Sequence, residues 1–489
     1  MTASARNVAD LVRASAHRGP KHVALVDVTT ANSYTWAEVD SFVDREAHRL
    51  VDSGVEPGDR VVVRLPTGAG FCVAVFGALR AGAVVVPVAP GQPARELQRV
   101  LADCGARLLV GDAGGADVEA LPAPELEPGE EFTAIGSGED VAVLGYTSGT
   151  SGQPRGAMLS HRALLANVDQ CASLRPAPVT AGDRVLLALP LFHVYGLGPG
   201  LLQVAGAGAT AVLLERFDAS AALDAIREHR VTTLVGVPPM YRAILNQPVE
   251  RLREDLATVR LFTSGAAPLA AGVLDALRQA VGLPVYEGYG LTETGPVLTS
   301  TLVGGVPKAG SVGRALPGVE VRLVDTDGRP LDLEEDEPGT GLVAARGENL
   351  FSGYWPDGAH GPDASGWFRT GDVGFFDEDG DLHLVDRAGD LIIVNGFNVY
   401  PHEVEQVVAE LAGVAESAAV GVPDERTGES VKVVVVAADG ATLTEEAVKE
   451  HCAARLAKFK VPTVVEFAPT LPHSATGKLA RARLRLPLT

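Results

Sequence analysis

Lysine is scarce in this chain: only seven of its 41 basic residues are lysine, and the rest are arginine. Each lysine is therefore slightly more informative than usual. Cysteine is scarcer still. Cys72, Cys104, Cys171 and Cys452 lie far apart, which excludes a disulfide framework and a paired-cysteine metal signature and fits a reducing compartment. Aromatics make up 5% of the 489 residues. Long hydrophobic runs are missing: the most apolar window, residues 71–89, is broken by Arg80 and Pro87 and falls short of a membrane span. The opening residues hold no apolar run of signal-peptide type, so a cytoplasmic protein without a transmembrane segment is expected. Positive charge is in deficit, with a net charge of −21, which argues against nucleic-acid or anionic-membrane partners. Apolar residues supply 46% of the chain, enough for a sizeable core.

The first third alternates helical and strand patterns. Thr35 and Glu38 have the spacing of a capping box, and Val39, Phe42, Val43, Leu50 and Val51 follow at helical intervals until Gly54. The β-branched run 60–65 then predicts a strand, followed by helix 70–79, strand 83–88, helix 93–103 and strand 107–110. Strands alternating with helices imply a parallel sheet buried on both faces. Residues 111–139, acidic and rich in Gly and Pro, read as a surface connection. From about residue 310 strands shorten and turn signals such as VDTDGRP and DEDGDL thicken, predicting hairpins. A compact α+β stretch follows from 391. The predicted fold class is α/β: a large N-terminal domain of doubly wound sheets with a small β-rich subdomain (1–386, the β-rich part from about 310), a hinge at 387–390, and a mobile α+β C-terminal domain (391–489).

The strongest local signal is VAVLGYTSGTSGQPRG at 141–156. An apolar strand feeds a loop of hydroxyls and glycines, and a helix is predicted from Ser160. Glycine lets backbone amides approach an anion, and Ser and Thr add donors, so the loop suits a polyphosphate; a flexible surface loop has the same composition. The Walker lysine pattern is absent. Five further segments stand out: LPLFHVYG (189–196), GYGLTET (288–294), WFRTGD (367–372), DRAGD (386–390) with Gly396 behind it, and PHSATGK (472–478). Alone, each has an ordinary explanation. Lys478 would be a solvated surface lysine, Asp372 a turn residue, Glu293 an acid at a helix start, and Tyr289 plain core.

Together, in this order and over nearly the whole chain, these segments resemble the adenylate-forming enzymes: acyl-CoA synthetases, adenylation domains of peptide synthetases, and luciferases. The resemblance implies that Thr147, Ser148, Gly149, Thr150 and Gly152, with Arg155, hold the ATP phosphates. Tyr289 would stack on adenine, within a nucleotide wall of Gly265, Ala266, Gly288 and Gly290. Thr292 would touch the α-phosphate, and Glu293 would hold Mg²⁺ with help from Thr150. Asp372 would accept the ribose hydroxyls and Arg387 would add a second contact. Asp390 falls at the family's hinge, Gly396 faces the thiol tunnel, and Lys478 bridges carboxylate and α-phosphate. Thr292, Glu293 and Lys478 are the expected catalytic set. The chemistry requires such a set, because a carboxylate attacking a phosphate brings two anions together.

The chain departs from the family pattern in places. Arg155 stands where a lysine usually ends the loop, Gly341 replaces a usual glutamate, and Gly389 replaces a charged residue near the hinge. The resemblance places the acyl pocket at His193, Val194, Leu197, Val237, Met240, Ala266 and Ala267, with His193 either a core histidine or the pocket entrance. These walls are apolar and small. No aspartate stands there for an amino group, and Gly288 occupies the place where malonate-specific relatives carry arginine. The expectation is an AMP-forming acid–CoA ligase using ATP, Mg²⁺ and free coenzyme A on a medium- or long-chain fatty acid. An aryl acid, or loading of a separate carrier protein, is the alternative. Eleven residues follow Lys478, so no fused carrier is expected. Monomer and homodimer are both open.

Overall fold

The computed structural model describes residues 6–148, 154–331, 339–387, 390–394, 397–424, 426–473 and 479–485. Two compact units divide the chain: Met1–Val321 with Ala345–Phe368, and Arg322–Ala344 with Arg369–Thr489.

The capping box at the start of helix Trp36–Asp52 forms as predicted: Thr35 accepts from Glu38 N, and Glu38 accepts from Thr35 N. Such a cap contributes about 0.5–2 kcal/mol. The helix buries Trp36, Val39, Phe42, Val43 and Leu50, and the indole of Trp36 donates to Ala209 O at 3.2 Å.

The first unit holds two sheets. One runs in the order Ala120–Leu121, Leu108–Gly111, Arg60–Arg64, Val84–Pro87, Val141–Ser148, Pro154–Ser160; all pairs are parallel except the last. The other has a parallel centre of Val23–Asp27, Thr210–Leu213, Arg184–Leu187, Thr233–Gly236, Leu261–Ser264 and Val285–Gly290. Antiparallel strands Asn32–Thr35 and Val297–Ser300 flank that centre. Strands such as Val84–Pro87 and Thr233–Gly236 are buried along their whole length, as expected for sheets covered by helices on both faces. A parallel sheet of this kind opens at its carboxyl edge, where ligands of α/β folds bind.

One strand escaped the sequence reading. Residues 154–160 form an antiparallel partner to Val141–Ser148, where a loop was expected up to the helix at Ser160. Gly156, Ala157, Met158 and Leu159 are all buried, so no alternation of polar and apolar residues betrays the strand. The helix follows as predicted, His161–Ala172 with Ser160 as its cap.

In the second unit, strands Phe368–Phe376 and Leu382–Arg387 form the hairpin announced by DEDGDL, its turn closed by Gly380 N to Asp377 O at 2.9 Å. The C-terminal part has a sheet of Phe397–Val399, Ile392–Val394, Gly428–Ala437 and Val414–Asp424, with Val464–Phe467 parallel to Gly428–Ala437. Helices Pro401–Ala409 and Glu445–Ala453 pack Val404, Val408, Val448 and Cys452 against Ile392, Val431, Val433 and Val435. All four cysteines are buried and free. Among the described residues no helix is long and apolar enough to cross a membrane.

Candidate active site

In the first unit the antiparallel strands Val141–Ser148 and Pro154–Ser160 bring Thr147 opposite Arg155. Gly145 allows a close approach: a Cβ there would stand 2.5 Å from Thr292 Cγ2. Thr292 therefore lies directly against the first of these strands. Arg155 sets its guanidinium 5.4 Å from the centre of the Tyr354 ring, a cation–π distance. Tyr354 in turn donates its hydroxyl to Glu293 Oε1 at 2.6 Å. Glu293 is only 8% exposed. Backbone bonds fix this arrangement: Ser352 N to Met158 O and Met158 N to Gly353 O on one side, Trp355 N to Gly156 O beyond, and Phe351 N to Glu293 O at 3.0 Å.

The turn carrying Thr292 and Glu293 is itself tightly held. Thr294 Oγ1 accepts from Leu291 N at 2.8 Å and donates to Pro296 O at 2.6 Å. A Cβ on Gly290 would stand 1.8 Å from Pro296 O, so only glycine fits. Tyr289, 9% exposed, is the next-to-last residue of the strand before this turn, with Thr299 as its antiparallel partner. Among the described residues no cluster of three metal-ligating side chains occurs. A single buried carboxylate suits a Mg²⁺ that arrives with a polyphosphate better than a resident metal cage.

The expected acyl walls gather at the carboxyl ends of the parallel strands in the same unit. Leu197 and Met240 are buried; His193, Val194, Val237, Ala266 and Ala267 are half-buried. His193 Nδ1 accepts from Tyr195 N at 3.2 Å. Gly265 adjoins Tyr195, whose ring would lie 2.9 Å from a Cβ at that position, and Tyr195 donates to Gly236 O at 3.3 Å. Ala266 adopts φ +69°, a left-handed conformation that costs a non-glycine residue about 1–3 kcal/mol and concentrates at functional sites. Gly288, half-buried, completes the strand end before Tyr289.

Sequence reasoning passed over Glu287. It is 5% exposed and accepts from Leu269 N at 3.0 Å through Oε2. Burial pushes its carboxyl up to about 7, against the pull of that single amide. The signal was available: Val285, Glu287 and Tyr289 alternate on the buried face of one strand, which is no place for an ordinary surface acid.

In the second unit Asp372, 6% exposed, is the cross-strand partner of Arg387. Its amide donates to Thr370 Oγ1 at 3.2 Å. Asp390 lies 3.9 Å from Arg481 Nη1 and 3.7 Å from Arg485 Nη2, and Arg481 Nη2 contacts both carboxylate oxygens of Glu405 at 2.8 Å. Gly149, Thr150, Gly152, Gly389, Gly396, Lys478 and the side chains of Ser148 and Arg387 lie outside the described residues. The bases of the lysine segment are described: Ala480 N bonds Pro472 O at 2.8 Å, and His473 bridges Leu479.

A large α/β unit in which the antiparallel strands Val141–Ser148 and Pro154–Ser160 lead through Arg155 and Tyr354 to a buried carboxylate, together with a small α+β unit, fits an adenylate-forming enzyme. The chain belongs to the AMP-binding enzyme family: that family's model matches residues 12–355, and the model of the AMP-binding enzyme C-terminal domain matches 403–478. It is similar to a feruloyl-CoA synthase of an Amycolatopsis species, 37% identical over 467 residues, covering 92% of this chain and 93% of the relative. A long-chain-fatty-acid–CoA ligase of Mycobacterium tuberculosis is 33% identical over 506 residues, covering 98% of each chain. Among solved structures, ATP-bound MatB from Rhodopseudomonas palustris superposes with a TM-score of 0.90 at 34% identity, covering 98% of each chain. An anthranilate CoA ligase in complex with anthranoyl-AMP superposes at 0.87 with 26% identity, covering 98% of this chain and 96% of that one.

Proposed function

We propose that the protein is an AMP-forming acid–CoA ligase. A carboxylate oxygen of the acid attacks the α-phosphorus of ATP and pyrophosphate leaves; the sulfur of coenzyme A then attacks the acyl carbon and AMP leaves. The observation that carries this reading is the chain of contacts Arg155–Tyr354–Glu293, which ties the strand pair bearing Thr147 to a buried acid beside Thr292. Thr147 and Arg155 would hold phosphates. Thr292 would meet the α-phosphate, and Glu293 would hold the Mg²⁺ that accompanies ATP. That ion, when bound, supplies neutralisation of phosphate charge. Tyr289 would flank adenine. Asp372 and Arg387, paired across their strands, would take the ribose, and Lys478 would supply the ammonium for adenylate formation.

The small apolar walls support a medium- or long-chain fatty acid as substrate. The relatives include both fatty-acid and feruloyl ligases, and Glu287 beside Gly288 supports the second reading, an aryl acid with a polar end. Free coenzyme A is the proposed acceptor. Incubation with ATP, Mg²⁺, a panel of acids and coenzyme A tests the proposal: AMP, pyrophosphate and an acyl-CoA are expected. Pyrophosphate without thioester would point to a separate carrier, and no pyrophosphate with any acid would refute the reading.

A further inference from the structure

Across three parallel strands of the first unit, the register aligns Gly236 with Ser264 and Ser264 with Glu287. Residues in register on neighbouring strands point to the same face, about 4.8 Å apart. Gly236 and Ser264 are the last residues of their strands, at the edge where such sheets bind ligands, and Glu287 lies level with them, three residues before its own strand ends at Gly290. At one end of the row the Tyr241 ring would lie 3.0 Å from a Cβ on Gly236. At the other end Leu269 N–H caps Glu287.

The row carries unspent hydrogen-bonding capacity. Ser264 is 1% exposed, and its Oγ has no hydrogen-bond partner among the described residues. Buried hydroxyls are almost always paired, so an unpaired one calls for a reason. The neighbouring tyrosines do not supply it with a proton, since Tyr241 donates to Thr263 O at 2.5 Å and Tyr195 to Gly236 O at 3.3 Å. The Glu287 carboxyl takes one amide, at Oε2, where it has room for several donors.

We propose that Ser264 and Glu287 form the polar end of the acyl pocket and select an acid that carries a hydroxyl group remote from its carboxylate. This rests on the acid–CoA ligase reading above and narrows its substrate. A hydroxyl offers one donor, for Glu287, and acceptor lone pairs, for Ser264, which completes both groups. A plain alkyl end would leave Ser264 unpaired and Glu287 with its single amide, and that asymmetry is what lets a polar pocket reject an analogue lacking the hydroxyl. The hydroxyl can sit on an aromatic ring or on an alkyl chain.

Two matched pairs test this with the full-length enzyme: 4-hydroxycinnamic against cinnamic acid, and 12-hydroxydodecanoic against dodecanoic acid. Each is assayed for kcat/KM by pyrophosphate release and for binding by titration calorimetry. The hydroxylated member of at least one pair should be preferred by about 10- to 100-fold, the range for a hydrogen bond to a charged group, and the pair that responds identifies the source. S264A and E287Q should each shrink that ratio to within about threefold of unity, with folding checked by thermal melts. Equal handling of both pairs would overturn the inference, as would a preference untouched by either substitution. A 4-amino acid preferred over its 4-hydroxy counterpart would overturn it as well. If no acid releases pyrophosphate, the ligase reading falls, and the binding ratios alone decide the pocket.

Discussion

Tyr354 and Glu293 are joined by a 2.6 Å hydrogen bond although 61 residues separate them. The hydroxyl orients a carboxylate that would otherwise choose among rotamers, and the ring beneath it carries Arg155. Tyr354→Phe removes the hydroxyl and keeps the ring. Hydrogen bonds to charged groups contribute about 1.5–3 kcal/mol, so adenylate formation should fall about 10- to 100-fold. Pyrophosphate exchange against Mg²⁺ concentration is the assay: half-saturation should move to higher Mg²⁺, and an unmoved Mg²⁺ curve would place Glu293 away from the metal.

Arg155 replaces a lysine with a planar group seated on an aromatic face. Lysine would retain charge but lose the stacked fork. Arg155→Lys should raise the KM for ATP a few-fold, matching about 1 kcal/mol of cation–π contact, and Arg155→Ala by more than tenfold. ATP saturation curves at fixed acid and coenzyme A measure both. An unchanged KM in the alanine variant would remove Arg155 from the phosphate site.

Lys478→Ala should separate the two half-reactions. Loss of one preorganised charge at a developing anion costs about 10²- to 10³-fold, so adenylate formation should collapse by that factor. Thioester formation from supplied acyl-adenylate should persist at near its original rate. Equal losses in both halves would refute the assignment of Lys478 to the first step.

Glu287 makes stability depend on pH with a definite sign. Its folded value, near 7 because of burial, lies above the 4.5 of an unperturbed glutamate. The folded chain therefore holds the proton more tightly than the unfolded one, and the contribution is complete below pH 4.5 and is lost as pH rises from there through 7. At about 1.4 kcal/mol per unit it amounts to at most about 3 kcal/mol. Denaturant unfolding at pH 5 and pH 8 should show wild type losing stability at the higher pH, and Glu287→Gln should flatten that loss. A difference between the two pH values that survives in the variant would assign the effect to another group.

Much of the fold was legible in the residues. The capping box at Thr35 and Glu38, the alternating helices and strands of the first third and the hairpin at Asp377–Asp381 all rest on local chemistry, and all stand where they were expected. The strand Pro154–Ser160 was not legible, because both of its faces are buried and its small residues carry no alternation. At the candidate site, the motif around Thr292 and Glu293 could be read, but its partner could not. Tyr354 sits in a stretch without regular structure, and its relation to Glu293 exists only after residues 351–355 are laid beside the strand Pro154–Ser160. Glu287 is legible in principle from its place between Val285 and Tyr289, where alternation along the strand puts an acid on the buried face.

The strip 351–355 bonds through its main chain to Gly156 and Met158 on one flank and to Glu293 on the other. Side-chain exchange leaves those bonds intact, so the coupling they impose is a property of chain path rather than of residue choice. The strand pair is accordingly not a portable cassette. Grafted into another scaffold without this strip, it would keep Arg155 and lose the Tyr354 ring and the acid beyond it.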